Sequence, residues 1–472
     1  MSFKVSVAKL VAKVGGPFSK FGSGSGKSFA GILFTKIAGI DAISELSKQL
    51  GIGSIILTGT NGKTTTTTLL IKLLSTDVPI RSSFESNTIN AIASAFIQQK
   101  GDIGVFEYGI RNIKYGIPDT VQRVVDPVGV VYTTISQEHT QVAGVKNPFE
   151  DYYKAKRLLS HGMKRGVIVT NGDDPRTALL GLDKEKDVHV NYYGIETDGI
   201  EDINGEAVKC PKCGETLTYS KYYLNYRGIY TCSCGFKRPE LNVKLTDIEF
   251  APNSWKLTIE GDLFNYTVSK NINFNIDITV PPYGFHNIYN TLASITTYAS
   301  FTPKVENIES TVKKVFNNLD MSFIPPGRFE VVDIGGKFVG LGQGDNGDAL
   351  KINAMFMNQF VDAPLEFIYT TPDVDEEEIF EDHYKVIKSM NPAHVIVVPG
   401  RHSIEKAEEY YNIIKQDFPD AEFYPLSYEE MDVRIERLNE LARNSDYKYV
   451  IMTGCGEEQA MWEEIKKKMI NR

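Results

Sequence analysis

A glycine-rich turn between an apolar segment and a helical segment constrains this chain more than any other feature. Residues 54–57 suit a short buried strand, and residues 63–74 suit a helix. Between them runs Thr58-Gly59-Thr60-Asn61-Gly62-Lys63-Thr64-Thr65. Glycines let a backbone wrap around phosphate, and the free amides at a helix start point at the anion. The sequence therefore predicts a phosphate-binding loop after a buried strand.

Two side chains of this turn have the chemistry that a nucleoside triphosphate requires. Lys63 is placed to neutralise the β- and γ-phosphates, and the Thr64 hydroxyl is placed to reach Mg²⁺. The spacing departs from the common phosphate-loop pattern, because Ile56 stands where the first glycine would fall. A chance glycine turn is the alternative, and the strand-loop-helix context argues against it.

Apolar runs and punctuation along the chain predict an α/β fold. Runs at 103–106, 128–132 and 166–170 read as parallel strands of one buried sheet, and 255–259 and 264–268 read as hairpin strands. Beyond Pro325-Pro326-Gly327, strands at 365–369, 394–398 and 449–452 alternate with charged helices. We expect a short basic N-terminal segment (1–48), a central ATP-binding parallel-sheet domain (49–324) and a C-terminal Rossmann-like α/β domain (325–472).

Composition limits the class of protein. With 472 residues, 42% of them hydrophobic, the chain is long enough for about three globular domains. The formal charge of −9 argues against a nucleic-acid partner. The sequence has no apolar run long enough to span a membrane and no secretory signal pattern. These features predict a cytoplasmic enzyme.

Four of the five cysteines fall in one tyrosine-rich insertion at about 205–240. Cys210 and Cys213 form one knuckle, and Cys232 and Cys234 form a second one that is one residue shorter than usual. Four thiolates from two tight turns suit a closed, structural Zn²⁺ site. Free thiols or a redox pair are the alternatives. Cys455 stands alone, and we interpret it as a buried inert thiol.

The first forty residues contain six lysines and no acidic residue. Phe3, Val7, Leu10 and Val14 recur at helical spacing, which predicts a cationic amphipathic helix over 3–14. Such a helix either packs on the next domain or contacts anionic membrane lipid near a lipid-linked substrate.

The phosphate-loop run resembles the ATP loop of the Mur ligases, a family that also includes folylpolyglutamate synthase, and the resemblance continues in order over roughly residues 50–350. It implies an ATP-dependent ligase that phosphorylates a substrate carboxylate and lets an amine attack the acyl phosphate. Glu107, at a strand end, matches the family's magnesium-binding carboxylate, His139 its metal-proximal histidine, and Lys156 the lysine that is carbamylated in many members. Asn171-Gly172-Asp173-Asp174 resembles a further strand end of the family. His286, Asn287 and Asn290 resemble its adenine-contacting segment, and Arg328 its ATP-contacting arginine. By this resemblance ATP binds Gly59, Thr60, Asn61, Gly62, Lys63, Thr64 and Thr65, and the ligands of Mg²⁺ are Thr64, Glu107, His139 and Lys156.

The resemblance divides into two branches. The basic N-terminus and the inserted ribbon resemble the ligase-like subunit of bacterial lipid II isoglutaminyl synthase, which amidates a lipid-linked precursor with ammonia from a glutaminase partner. In that branch Asp375 would serve the partner's active site, although the surrounding Ser-Trp context is missing. An acidic helix start is the alternative for this segment.

The second branch is the amino-acid-adding ligase. The Lys156 context and Asp345-Asn346-Gly347-Asp348-Ala349-Leu350 resemble its motifs, although Asp345 and Gly342 replace a histidine and an aspartate. The mixture is similar to archaeal Mur-like ligases thought to build pseudomurein peptides, and we favour this branch. The implied partner is a nucleotide- or lipid-linked cell-wall peptide precursor. A non-catalytic scaffold that uses ATP only to dock a partner is a third hypothesis, and the complete set of expected site residues argues against it.

Overall fold

The structure is a computed structural model, and it describes all residues except 1, 16–25, 85, 136–147, 201, 203–204, 252–253, 321–328, 346, 373–376, 401–403, 429–430, 457 and 471–472. The helices in the described ranges are α1 (Phe3–Gly15), α2 (Phe29–Ala38), α3 (Ile43–Ser47), α4 (Lys63–Leu74), α5 (Ile89–Gln98), α6 (Pro118–Val125), α7 (Pro148–His161), α8 (Pro175–Leu182), α9 (Phe285–Phe301), α10 (Ile308–Phe316), α11 (Gly347–Asn358), α12 (Glu377–Met390), α13 (Ile404–Asp417), α14 (Met431–Asn444) and α15 (Gln459–Ile470). The strands there are β1 (Gly53–Thr58), β2 (Ile80–Ser83), β3 (Ile103–Glu107), β4 (Gly129–Tyr132), β5 (Gly166–Asn171), β6 (Val188–Ile195), β7 (Thr218–Leu224), β8 (Arg227–Thr231), β9 (Val243–Ala251), β10 (Ser254–Asn265), β11 (Lys270–Val280), β12 (Glu330–Asp333), β13 (Phe338–Gln343), β14 (Leu365–Thr370), β15 (His394–Val398), β16 (Glu422–Phe423) and β17 (Tyr449–Gly454). The α/β class predicted from the sequence is confirmed.

The chain forms two compact units. The first contains Met1–Asp247, Leu257–Ile278 and His286–Asn317, and the second contains Ile248–Lys256, Thr279–Phe285 and Asn318–Arg472. Each unit has its own large sheet.

The larger sheet, which contains β1 to β6 of the first unit, has the order β11-β10-β9-β6-β5-β4-β1-β3-β2. Every neighbouring pair along the part of this order that runs from β9 to β2 is parallel. In β1, Ile55, Ile56 and Leu57 are fully buried, as expected for a parallel strand covered on both faces. Because the carboxyl ends of β1, β3, β4 and β5 meet at one edge, residues that follow these strands come together there.

One expectation about the hairpin strands was wrong. Residues 255–259 and 264–268 were predicted as separate strands, but β10 runs without a break from Ser254 to Asn265. Gly261 lies inside this strand without interrupting it. A Cβ at Gly261 would lie 2.2 Å from the Phe274 ring. The glycine therefore makes room for a neighbouring aromatic side chain rather than for a turn.

The predicted N-terminal helix is present as α1, but it packs through a different face. Val5, Ala8 and Ala12 are buried in the core of the first unit, where small side chains allow a close approach to α2. The larger apolar residues at helical spacing point outward, with Phe3 86% and Leu10 65% exposed. Burial of small residues leaves the larger apolar stripe at the surface.

The cysteine insertion is built on the two-stranded antiparallel sheet β7–β8. A small cluster that includes Leu217, Tyr230 and Phe236 packs it against Ala178 of α8 and Tyr192 of β6. The insertion is thus attached to the elements that follow β5.

The second unit contains the sheet β12-β13-β17-β14-β15-β16. β12 and β13 pair antiparallel, while β13, β17, β14, β15 and β16 pair parallel in that order. Its core includes Trp462 and Leu438, and the buried Arg434 donates to the carbonyl oxygens of Leu426 and Pro399. Among the described helices, none combines the length and apolarity that crossing a membrane requires.

Candidate active site

The phosphate loop lies where the sequence predicted it, between β1 and α4. The amide of Thr60 donates to the carbonyl oxygen of Thr134 at 2.7 Å, and the Thr133 hydroxyl donates to the carbonyl oxygen of Asn61 at 2.6 Å. The loop is therefore tied to the residues that follow β4. Sequence reasoning missed these threonines, because nothing in the run 131–134 indicates which loop lies beside it.

The two glycines of the loop are required by close approaches. A Cβ at Gly59 would lie 2.0 Å from the Thr133 hydroxyl oxygen, and one at Gly62 would lie 2.3 Å from Oδ1 of Asn290. Gly62 also has a φ of +82°, in the left-handed region that favours glycine. The loop can hold its shape only with glycine at both positions.

Lys63, Thr64 and Glu107 converge at the start of α4. The Thr64 hydroxyl donates to Oε2 of Glu107 at 2.8 Å, and Glu107 is buried at the end of β3. Nζ of Lys63 donates to the carbonyl oxygen of Thr60 at 2.8 Å. Burial lowers the pKa of the Lys63 ammonium, and the Glu107 carboxylate offsets part of that effect. A hydroxyl and a carboxylate side by side offer the oxygen ligands that Mg²⁺ prefers, so this pair fits the ion.

Lys156, on α7, contacts the start of the same loop. It is completely buried, and its Nζ lies 3.1 Å from both Oγ1 of Thr58 and the carbonyl oxygen of Gly59. Its Nζ also lies 4.5 Å from the centre of the Tyr152 ring. Burial, reinforced by the charge of Lys63, lowers the pKa of the Lys156 amine well below its ordinary value. A neutral amine is the form that combines with carbon dioxide to give a carbamate.

The predicted adenine-contacting segment opens α9, close to the phosphate loop. Nδ2 of Asn290 donates to Oδ1 of Asn287 at 2.8 Å, and the Thr66 hydroxyl donates to Oδ1 of Asn290 at 3.3 Å. His286 is exposed, whereas Asn290 is buried. Asn290 thus contacts α4 as well as Asn287.

Three predicted site residues lie outside the described residues. They are His139, Arg328 and Asp375. Asn346 of the second-branch motif is outside them too.

The carboxyl end of β5 carries a buried polar network that sequence reasoning did not assign. Asp173 accepts hydrogen bonds from the Ile195 amide (2.8 Å) and the Tyr289 hydroxyl (3.0 Å), and it forms an ion pair with Arg238 at 2.7 Å. Burial raises the pKa of the Asp173 carboxyl, and Arg238 offsets part of this. Asp174 caps α8 by accepting from the Arg176 amide at 2.9 Å. The aspartate pair was the sequence signal, but the partners of Asp173 come from β6, α9 and the residues after β8.

The four clustered cysteines lie together in space. Their sulfur atoms all fall within 4.8 Å of one another, with 3.8 Å between Cys210 and Cys234 and 3.5 Å between Cys213 and Cys232. A tetrahedral zinc with Zn–S bonds of about 2.3 Å separates its sulfurs by roughly 3.8 Å. Gly214 and Gly235 follow the two knuckles with φ near +80°, at 84° and 82°. The thiol set therefore fits Zn²⁺.

Comparison with known proteins identifies the domain around this loop. The family profile of the Mur ligase middle domain matches residues 57–235. The chain contains a Mur ligase middle domain. The matched range includes the phosphate loop, Glu107, Lys156 and all four clustered cysteines. The resemblance inferred from the sequence is thereby confirmed.

Curated relatives match only part of the chain. The chain is 28% identical over 264 residues to the MurT subunit of lipid II isoglutaminyl synthase from Staphylococcus aureus (strain N315). The aligned residues cover 54% of this chain and 54% of that one. It is also 28% identical over 144 residues to the UDP-N-acetylmuramoyl-tripeptide–D-alanyl-D-alanine ligase of Bacillus subtilis (strain 168), covering 29% of this chain and 30% of that one. The chain thus spans about half the length, or less, of the curated relatives it matches.

A solved structure extends the likeness of fold over nearly the whole chain. The pseudomurein peptide ligase type C from Methanothermus fervidus superposes with a TM-score of 0.60 at 22% identity, over 93% of this chain and 84% of that one. This comparison shows a shared Mur ligase fold.

Proposed function

We propose that this chain is an ATP-dependent amide-bond ligase that adds an amino acid to a murein- or pseudomurein-type cell-wall precursor. The observation that carries the proposal is the convergence of Lys63, Lys156 and the Thr64–Glu107 pair on one glycine-shaped loop. A phosphate-binding loop with two lysines and a magnesium-type ligand pair serves phosphoryl transfer. The middle-domain match supports the same class of reaction.

The reaction balances in two steps. The acceptor carboxylate attacks the γ-phosphorus of ATP, which gives an acyl phosphate and ADP. A neutral amine then attacks the carbonyl carbon, the C–O bond to phosphate breaks, and the amine proton leaves to solvent. Lys63 holds the phosphate charge, while the amides at the start of α4 bind the phosphate oxygens. Thr133 and Thr134 hold the preceding part of the loop in place. Mg²⁺, held by Thr64 and Glu107, would neutralise charge on the phosphates.

Lys156 serves this reaction best as a carbamate. A carbamylated Lys156 replaces a buried amine with an anion and would provide a ligand for a second Mg²⁺ near the acyl phosphate. His139 and Arg328 complete the proposed set as a metal-proximal and an ATP-contacting residue, and His286, Asn287 and Asn290 are proposed to contact adenine. The boundaries 1–48, 49–324 and 325–472 remain our proposal for the domains, with the last one Rossmann-like. Since the reaction consumes ATP, we place the protein in the cytoplasm.

The cysteine cluster is proposed to hold one structural Zn²⁺. Four sulfurs leave no open position for a substrate, and the sulfur separations fit a tetrahedral ion. The ion would stabilise a lobe that has only a small core of its own.

A second candidate is supported by the MurT match. In this alternative the chain, like the glutamine-hydrolyzing enzyme of its relative, amidates a lipid-linked precursor with ammonia from a glutaminase. Asp375 is then proposed to serve the partner's active site. The two candidates share the acyl phosphate and differ in the amine. Copurification with a glutaminase, and collapse of amidation in Asp375→Asn, would favour this alternative. Under the first candidate, Asp375→Asn keeps activity within about a few-fold of the parent, which is under roughly 1 kcal/mol of barrier.

The N-terminal helices are proposed to contact anionic lipid. On α1, Phe3, Leu10 and Val14 are exposed, and on α2 Phe29 and Ile32 are exposed, without an acidic residue anywhere before Asp41. Apolar side chains rimmed by lysines suit the interface of a negatively charged membrane. A lipid-linked precursor would lie at that surface.

The test of the proposed reaction follows the carboxylate oxygen. An acceptor whose carboxyl group carries ¹⁸O should transfer one labelled oxygen to inorganic phosphate for each amide formed. Unlabelled phosphate, or ATP hydrolysis that does not depend on acceptor, would contradict an acyl phosphate route.

A further inference from the structure

The hairpin of the cysteine insertion brings its tip to the carboxyl ends of β4 and β5. The amide of Gly228 donates to the carbonyl oxygen of Asp173 at 3.0 Å. The Tyr226 hydroxyl donates to the carbonyl oxygen of Ile135 at 3.1 Å. Tyr226 and Arg227 therefore lie at the sheet edge that holds the phosphate loop.

Short contacts connect this tip to the loop. Ile135 follows Thr134, whose carbonyl oxygen accepts from the Thr60 amide at 2.7 Å. Tyr289, which lies against Arg227, precedes Asn290, and Asn290 accepts from Thr66 of α4. The hairpin tip is thus one layer of residues away from the candidate phosphate site.

Arg227 is buried there, and its Nε–H has no acceptor within the described residues. The residue is only 8% exposed. The group lies against two rings, 5.6 Å from the centre of Tyr226 and 5.3 Å from that of Tyr289. Because an unsatisfied buried charged donor is costly, such a residue indicates a ligand that supplies the acceptor.

The nearby carboxylates are occupied by other donors. Asp174 interacts electrostatically with Arg227, but it accepts from the amides of Arg176 (2.9 Å) and Ile135 (3.3 Å). Asp173 is paired with Arg238. The Asp174 carboxylate also accepts from the Tyr226 hydroxyl, at 3.4 Å from its Oδ2. Both carboxylates are thus already used by other donors.

We propose that Arg227 binds a carboxylate of the acceptor, so that the cysteine insertion contributes directly to substrate binding. The proposal rests on the ligase function proposed above and assigns its acceptor to the acidic peptides. A planar guanidinium can form two parallel hydrogen bonds to a planar carboxylate, and the two rings against Arg227 leave its donors for such a partner. A phosphate of the nucleotide is the other anion that such a group recognises, and the test separates the two.

The test measures binding by isothermal titration, without turnover. The probes are Mg·ADP and a glutamate-containing dipeptide, with the dipeptide diamide as the control that lacks carboxylates. In the presence of Mg·ADP, the dipeptide should bind the parent and should bind Arg227→Gln at least about tenfold more weakly, while the diamide binds neither. Mg·ADP should bind both proteins within about twofold. The matched control is Arg123→Gln, because Arg123 is a surface arginine paired with Asp41.

A second measurement covers the case in which Arg227→Gln fails to fold. The Nε–H NMR signal of Arg227, assigned by its absence in Arg227→Lys, should shift in the parent when the dipeptide is added. Arg227→Lys keeps the charge but loses the planar pair of donors, so its affinity should fall between those of the parent and Arg227→Gln.

Three outcomes would overturn the proposal. They are that the parent binds no dipeptide, that the parent and Arg227→Gln bind the dipeptide equally, or that Arg227→Gln binds Mg·ADP more weakly while its affinity for the dipeptide is unchanged. The ligase function is judged separately. Dipeptide binding through Arg227 in a protein that forms no amide would leave the anion site standing and reject the ligase. Amide formation that is unaffected in Arg227→Gln would leave the ligase function standing and reject the anion site at Arg227.

Discussion

Nζ of Lys156 lies 3.1 Å from the carbonyl oxygen of Gly59, so a fully buried lysine on α7 contacts the start of the phosphate loop. Burial disfavours the charged form of an ammonium at this position, and the charge of Lys63 adds to that effect. A carbamate at the same position would reverse the sign of the charge and attract Lys63. Carbamylation would therefore account for a buried lysine next to a second lysine in a site for ATP.

Lys156→Ala should therefore lose nearly all ligase activity, by at least about 10²-fold, or about 2.7 kcal/mol of barrier. Short-chain carboxylates such as acetate or propionate should restore part of it, because they supply the lost anion. Lys154→Ala is the control, since Lys154 is exposed and paired with Glu150. Full activity in Lys156→Ala, or equal stimulation of the parent by acetate, would reject the carbamate role.

The lowered pKa of Lys156 also predicts how the stability of the metal-free and nucleotide-free protein depends on pH. Between the folded and the unfolded pKa, the unfolded chain binds one proton more than the folded chain. The free energy of unfolding should therefore rise with pH over that window and level off near the ordinary lysine value. Urea titrations at several pH values give the free energy of unfolding of the parent and of Lys156→Met. The difference, parent minus variant, should rise with pH, and a flat or falling difference would contradict the prediction.

Zinc removal should unfold the cysteine insertion while the main sheet of the first unit stays folded. We expect one Zn²⁺ per chain by elemental analysis, and loss of protection from hydrogen exchange over β7 and β8 after chelation. Cys213→Ser should lose the ion, whereas Cys455→Ser should keep it, because Cys455 lies in the second unit. Protein purified without chelator and free of zinc would show that the thiols have another role.

The exposed apolar stripe of α1 predicts binding to anionic vesicles. The parent should cosediment with phosphatidylglycerol vesicles and much less with phosphatidylcholine vesicles, and added salt should weaken the binding. Leu10→Asp should reduce partitioning about tenfold, since one buried leucine contributes about 1.5 kcal/mol or more. Val433→Asp is the control, because Val433 is an exposed apolar residue of the second unit. Equal binding of Leu10→Asp and the parent would rule out this contact.

The sequence predicted the parts of the fold that repeat a local pattern. The strands before Thr58 and Glu107 could be read from continuous apolar runs, and the phosphate loop from its glycines. The packing face of α1 could not, because its periodicity marks the large residues while burial selects Val5, Ala8 and Ala12.

Some residues of the candidate site could be predicted from a local sequence pattern, and others could not. Lys63 and Thr64 are adjacent in a recognisable run, so their proximity to the loop follows from the sequence. Arg227 is 164 positions beyond Lys63 (227 − 63) in an insertion, and only the hairpin contacts with Asp173 and Ile135 bring it to the same edge. Its burial without a partner for Nε is a property of three-dimensional packing that no local pattern records.

The central claim, that this chain forms an amide bond at the expense of ATP, is tested most directly by weighing products. Purified protein is incubated with ATP, Mg²⁺ and candidate peptide precursors, together with amino acids or with ammonia. We predict one precursor product heavier by an amino-acid residue and equimolar ADP, with turnover lost by about 10²-fold or more in Lys63→Ala and kept in the surface control Lys100→Ala. Formation of product at the parent rate by Lys63→Ala, or ADP release without any product of increased mass, would contradict the account.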